Sequence, residues 1–121
     1  MTLFQTDHKN KAFIITIAGF AGAEGAALFV EGLKKEVSQI DVKAFTLIAD
    51  GTNMKTLKPE ILPILEKSYQ LYMSLGFKKV LVVSPVSVTP RLQIKRVAKN
   101  VHFSGEFIGN LRDALTEAAE A

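Results

Sequence analysis

The chain has 121 residues, no cysteine and a formal net charge of +3. Its length suits one domain that buries roughly two thirds of its unfolded surface, and its 48% hydrophobic and 22% charged residues exclude a disordered chain. The lack of cysteine excludes disulfides, thiol catalysis and thiolate zinc sites, and the charge is too small to indicate a nucleic-acid partner. Because the amino terminus lacks the pattern of a secretory signal, we expect one soluble, cytoplasmic domain over residues 1–121.

The first predicted elements are a strand pair. Residues 2–6 alternate weakly between apolar and polar side chains, and the polar sequence DHKN separates them from KAFIITIAG. The second sequence is apolar at successive positions, which is typical of a strand buried on both faces. We expect a hairpin whose first strand lies at the edge of the sheet.

Residues 12–30 are apolar enough to be mistaken for a membrane helix, with only Thr16 and Glu24 clearly polar. Glu24 would lie deep in the hydrocarbon at a cost of about 3 kcal/mol or more. The glycines at positions 19, 22 and 25 interrupt the run. The pattern therefore favours a strand, a glycine turn and then a helix, with no stable membrane insertion.

Two further buried strands are predicted at residues 44–49 and 80–83, and residues 101–108 have room for a short one. The strands alternate with helices, in the order β β α β α β α and a final α. This alternation predicts an α/β fold: a mostly parallel sheet with an antiparallel amino-terminal edge strand and about four helices.

The helices have recognisable ends. The first is predicted from Glu24 onward, and the second from near Glu60 or Ile61, because Pro63 cannot lie deep inside a helix. Gly76 should end the second helix, Thr89 should cap the third before Pro90, and Asn110 should cap the fourth. The predicted inward residues are Ala27, Val30, Leu33 or Lys34, Val37 and Ile40 in the first helix and Leu62, Leu65, Tyr69 and either Tyr72 or Met73 in the second.

Three local motifs carry a family resemblance. A strand ends in Asp50 before a small polar loop, VLVVSP precedes a capped helix, and FIGNLRDAL combines an aromatic residue, a cap and a helix. With the order of elements, these motifs resemble the STAS domain of anti-sigma-factor antagonists and sulphate transporters. The resemblance covers nearly the whole chain. It implies a single STAS-like domain with a non-enzymatic, regulatory or protein-interaction function.

One departure from that family concerns phosphorylation. Its antagonists carry a phosphorylatable serine at the start of the second helix, and the corresponding turn falls near Lys58, Pro59, Glu60 and Ile61, where no hydroxyl exists. Thr56 is the nearest hydroxyl and does not match the motif. A phosphate-controlled switch is therefore not expected from the resemblance, whereas the fold prediction is unaffected.

The candidate site lies at the carboxyl edge of the predicted sheet, where open α/β sheets place ligands and switches. We assign two sets of polar residues to it, one after each strand. The partner- or ligand-binding candidates are Asp50, Thr52, Asn53, Lys55, Thr56, Lys58, Glu60, Ser84, Ser87 and Arg91.

Several of these residues have more than one interpretation. Asp50 is best explained as a turn residue, with a metal ligand and a phosphoacceptor as alternatives, and the threonines as local hydrogen-bond partners or helix caps rather than phosphorylation sites. Arg91, Lys95 and Lys99 share a helical stripe with Arg96 beside it, which is typical of a solvated face.

The primary hypothesis is an interaction domain that presents residues 50–60 and the start of the second helix to a regulatory protein partner. The alternative is a module that binds a small anion, such as a nucleotide or lipid, at the sheet edge. A homodimer stays open as well. We assign no catalytic residue, metal or cofactor, because the chain lacks paired carboxylates, a Ser-His arrangement and a metal cluster.

Overall fold

A five-stranded mixed sheet forms the centre of the chain in a computed structural model that describes residues 2–17 and 22–121. The strands lie side by side in chain order: β1 (Thr2–Asp7), β2 (Ala12–Ile17), β3 (Thr46–Asp50), β4 (Lys79–Val83) and β5 (Glu106–Ile108). β1 pairs antiparallel with β2, and the later pairs are parallel. The predicted α/β fold with an antiparallel edge strand is confirmed.

Four helices connect or follow these strands: α1 (Gly22–Val37), α2 (Leu62–Ser74), α3 (Val88–Asn100) and α4 (Leu111–Glu120). Short 3-10 helices at Val42–Ala44 and Pro59–Ile61 precede β3 and α2. Within the described ranges, every helix is too short or too polar to cross a bilayer. Residues 12–30 therefore do not form one apolar helix, since β2 and α1 divide them.

The sheet has two differently covered faces. On one face, Phe13, Ile15 and Leu47 pack with α1, α2 and α3 in the larger core, which also holds Tyr69 and Tyr72. On the other face, α4 packs against the strands, with its two alanines buried in the contact. That smaller core contains Ala12, Ile14, Ile48, Leu81, Val83, Ala114 and Ala118.

Several predicted helix boundaries are confirmed. Pro63 lies in the first turn of α2, where a missing N–H costs no intrahelical bond. Gly76 follows α2 with a φ of 88°, a left-handed conformation that favours glycine. The Asn110 side chain accepts a hydrogen bond from the backbone N–H of Asp113 at 2.8 Å, which caps α4.

Other predictions at the helix ends were wrong. Ser87, not Thr89, occupies the N-cap position of α3, so Pro90 lies in the third helical position, where its N–H would still have no intrahelical partner. α1 begins at Gly22 and includes Gly25, so neither glycine belongs to a turn. The predicted turn at Gly19 lies outside the described residues.

The prediction for the inward face of α1 is partly confirmed. Leu33 is buried and Val30, Val37 and Ile40 pack against the larger core, but Ala27 is exposed and Phe29, which was not predicted, is buried. Phe29 stacks on Phe4 of β1 with ring centroids 5.8 Å apart. The large aromatic side chain buries more apolar surface than an alanine would, and this gain sets the rotation of the helix.

Candidate functional site

The carboxyl ends of β3 and β4 place two loops side by side. The Gly51 N–H donates to the Val83 carbonyl at 3.1 Å, and the Val86 N–H donates to the Thr52 carbonyl at 3.2 Å. A Cβ on Gly51 would lie 3.1 Å from the same Val83 oxygen, so a larger residue would push the loops apart. The two sequence-predicted sets of polar residues therefore meet at one edge.

Asp50 forms the turn that begins the first loop. Its carboxylate is nearly buried, and Oδ1 accepts hydrogen bonds from both the backbone N–H and the hydroxyl of Thr52. This is the geometry of a turn-forming aspartate, as the sequence predicted. No group of three or more potential metal-ligating side chains occurs among residues 2–17 and 22–121.

Two apolar side chains fasten the loop to the larger core. Met54 and Leu57 are buried, although they lie in an otherwise polar sequence. The side chain of Gln93 on α3 adds a second attachment: its Oε1 accepts from the Leu57 N–H at 2.8 Å, and its Nε2 donates to the Leu57 carbonyl at 2.9 Å. The loop is thus held at its start, middle and end.

The polar candidates of the first loop lie between and after these attachments. We call residues 50–60 the 50–60 segment. Its exposed candidates are Asn53, Lys55, Thr56, Lys58 and Glu60. Thr56 does not cap a helix, because the next helical residues begin at Pro59 and no side-chain cap bond occurs there.

The candidates of the second loop are less closely associated. Ser84 is half-buried and its N–H donates to the Ile108 carbonyl at 3.0 Å, whereas Ser87 is exposed. The Arg91 side chain is half-buried on the first turns of α3. Among the described residues, none of these three side chains forms a hydrogen bond to the 50–60 segment. Their role in binding stays a prediction.

In each of four cavities lined by described residues, the lining includes none of the ten candidates. A groove of about 550 Å³ between α2 and α3 includes Leu92, Gln93 and Arg96 in its lining. A smaller groove, of about 230 Å³, lies between α1 and α2. These four cavities therefore give no support to the small-anion alternative.

Sequence reasoning missed the residues that shape this edge. Gln93 lies in a basic helix, and no local pattern identifies its partner 36 residues earlier. Met54 and Leu57 could have been noticed as apolar residues three positions apart in a polar loop. Val88 and Leu92 also carry a signal, since they are out of phase with the buried stripe of α3 at Pro90, Ile94, Val97 and Ala98.

Comparisons with known proteins give structural matches only. No protein-family model matches the chain, and neither does any curated protein. A variant of RsbS from Moorella thermoacetica is similar over 99% of this chain and 98% of its own, with a TM-score of 0.70 and 13% identity.

Two other solved structures are similar to nearly the same extent. An anti-sigma factor antagonist from Mycobacterium paratuberculosis has a TM-score of 0.63 and 19% identity, with coverage of 98% of this chain and 92% of its own. An uncharacterized protein with a SpoIIAA-like fold from Shewanella loihica PV-4 has a TM-score of 0.65, 20% identity and the same two coverages. At these identities the likeness shows the fold alone. The chain is therefore a STAS-like domain in its fold, as the resemblance of its motifs predicted.

Proposed function

We propose that this domain is a non-enzymatic regulatory module that binds a protein partner through the 50–60 segment and the amino end of α2. The observation that carries this proposal is the way the segment is held. Buried Met54 and Leu57 alternate with exposed polar residues, so the backbone is fixed while Lys55, Thr56 and Lys58 remain exposed.

Such a segment suits protein recognition for an energetic reason. Ordering a flexible loop on binding costs free energy, and a loop already fastened by Asp50, Gln93 and two buried side chains avoids much of that cost. Exposed side chains on a fixed loop contact a complementary protein surface, whereas a small ligand needs a concave site. The likeness to a protein named as an anti-sigma factor antagonist agrees with a partner of this kind.

The chemistry of the same edge favours binding over catalysis. The Asp50 carboxylate already accepts two hydrogen bonds from Thr52. The other candidates are lysines, hydroxyls, an amide, an arginine and Glu60, and none of them is a histidine or cysteine that could activate a hydroxyl. These side chains fit hydrogen bonding and charge pairing with a partner.

The test compares two triple alanine variants in affinity capture from the source cells with quantitative mass spectrometry. One variant changes exposed residues of the 50–60 segment, and the control changes exposed residues at the end of α1. The two sets are Lys55, Thr56 and Lys58, and Lys34, Lys35 and Ser38.

We expect a protein captured by the unchanged chain to be lost from the 50–60 variant and retained by the control. Direct titration of that purified protein should repeat the difference. Equal binding by both variants would contradict the placement of the surface, and an absence of any saturable protein partner would contradict the function itself.

A further inference from the structure

The outer face of α3 carries aliphatic side chains that the fold leaves in solvent. Val86 is 75% exposed just before the helix, and Val88 and Leu92 are 58% and 62% exposed on it. Val88, Leu92 and Arg96 follow one another at steps of four, so they form a line along the helix. We call Val86, Val88, Leu92 and Arg96 the α3 face.

The α3 face borders a groove that could receive further side chains. The space of about 550 Å³ between α2 and α3 is lined by Leu92 and Arg96 on one side and by Leu62 and Glu66 on the other, with Val97 also in the lining. Its apolar residues continue the exposed aliphatic line into a concave surface. A groove between two helices is a common docking place for the apolar side of a third helix.

The charges on α3 select the type of helix. α3 contains Arg91, Lys95, Arg96 and Lys99 and no acidic residue. The ion pairs between described residues all involve Lys79, so these four cations have no carboxylate partner there. Glu66 offsets Arg96 within the groove lining, so the excess of positive charge comes from Arg91, Lys95 and Lys99 elsewhere on α3. A partner with carboxylates flanking an apolar stripe would complement this arrangement.

We propose that the α3 face and its groove bind an acidic amphipathic helix of a partner protein. Apolar residues of that helix would contact Val88 and Leu92 and enter the groove, and its carboxylates would pair with Arg96 and neighbouring cations. This inference rests on the proposed function only in taking the domain to bind proteins. Its surface lies outside the 50–60 segment but includes Leu62 and Glu66 at the amino end of α2. A concave groove fits a helix better than it fits the flat surface of a bilayer.

The probe is a synthetic acidic peptide of about 18 residues, long enough to form a helix, with leucines on one face and glutamates on the other. A twin with lysine in place of every glutamate tests charge, and vesicles of phosphatidylcholine and phosphatidylserine test a membrane. Binding to the full chain labelled with ¹⁵N is followed by NMR. We expect the acidic peptide to shift α3 signals and the twin to bind at least about tenfold more weakly.

The variants use two exposed leucines as a matched pair. Leu92→Asp on α3 should weaken binding of the acidic peptide about tenfold or more, whereas Leu28→Asp on α1, where the leucine is 67% exposed, should leave it unchanged. Arg96→Glu should weaken it, and Lys34→Glu should not. The triple alanine variant of the 50–60 segment should still bind the peptide.

Equal binding of the two peptides, or equal effects of Leu92→Asp and Leu28→Asp, would overturn the proposal. If the chain binds the acidic vesicles but not the peptide, the α3 face binds a membrane instead. If the chain self-associates through Leu92 and does not bind the peptide, the face is an interface between two copies, and the proposal is likewise overturned. If the peptide fails while a natural partner still requires the 50–60 segment, this inference fails and the proposed function stands.

Discussion

The side-chain amide of Gln93 hydrogen-bonds both backbone groups of Leu57, so that one side chain of α3 makes the two hydrogen bonds that a neighbouring strand would otherwise make to Leu57. The Leu57 side chain is itself buried in the larger core. Gln93 also lines the groove between α2 and α3. The two surfaces proposed for partners therefore share one fastening residue.

Gln93→Ala should release the 50–60 segment. The change removes two hydrogen bonds and leaves the Leu57 N–H and carbonyl without their partner, so we expect a loss of about 1–3 kcal/mol in the free energy of unfolding. Denaturant unfolding measures that loss, and amide exchange at Leu57 should accelerate. Gln70→Ala, an exposed glutamine on α2, is the control and should change neither quantity. Unchanged exchange at Leu57 would mean that the apolar side chains alone hold the segment.

Asp50→Ala should disturb the same segment from its other end. The carboxylate accepts two hydrogen bonds from Thr52 but lies outside both apolar cores, so the expected loss is about 1–2 kcal/mol. Asp50→Asn retains an acceptor oxygen and should lose less. A loss above about 4 kcal/mol in denaturant unfolding would indicate a larger buried network around Asp50.

Tyr72→Phe should stabilise the domain. Tyr72 is fully buried, and its hydroxyl has no hydrogen-bond partner among the described residues. Removing an unsatisfied buried hydroxyl while keeping the ring avoids a desolvation cost, so we expect a gain of about 1 kcal/mol at neutral pH. Thermal and denaturant unfolding both measure it. A loss of stability would indicate that a bound water satisfies the hydroxyl.

The advantage of Tyr72→Phe should increase at high pH. Burial raises the pKa of Tyr72 far above the ordinary value of 10.0. Above about pH 10 the unfolded chain loses the tyrosine proton and the folded chain keeps it, so the unfolded state binds fewer protons and stability falls as pH rises. Tyr72→Phe lacks this loss of stability, so its advantage over the unchanged chain in the free energy of unfolding should grow by up to about 1.4 kcal/mol per pH unit. The raised pKa of Lys79 also makes stability fall as pH rises. It does so equally in both proteins and therefore leaves the difference between them unchanged. A pH-independent difference would contradict the buried state of Tyr72.

Gly105→Ala and Gly109→Ala should differ sharply, although both glycines flank β5. A Cβ on Gly105 would lie 2.7 Å from the Val80 carbonyl oxygen and closer still to the Phe103 ring, whereas a Cβ on Gly109 would meet nothing within 4 Å. We expect Gly105→Ala to cost about 1–3 kcal/mol and Gly109→Ala to be neutral or slightly stabilising. Denaturant unfolding of both variants tests this. Equal effects would show that β5 can move away from β4.

The elements that were predictable carry clear local sequence signals, such as an apolar run or a helix-capping residue. β2, β3 and β4 are short apolar runs, and Asn110 carries its own cap signal three residues before Asp113. The misplaced start of α3 shows the limit of such signals, because Ser87 and Thr89 are both acceptable caps and Pro90 fits more than one position in the first turn. Local preference could not choose between them.

The position of the candidate site at the carboxyl edge of the sheet was predictable from the sequence. The contacts between its residues were not. The carboxyl edge follows from the parallel sheet, and the turn at Asp50 follows from its own sequence. The contact of Gln93 with Leu57 depends on how α3 lies against the loop after β3, which is a tertiary relationship. The exposure of Val88 and Leu92 likewise depends on which stripe of α3 packs inward.

The order of the strands has a kinetic consequence. Each strand of the sheet pairs with the strand that precedes it in the chain, so no strand must insert between two that are already joined. Each pairing closes only the segment between two successive strands, and a closure over fewer residues carries a smaller entropic cost before contacts compensate for it. The sheet can therefore grow from β1 to β5 in the direction of synthesis, with every new strand finding its neighbour already in place.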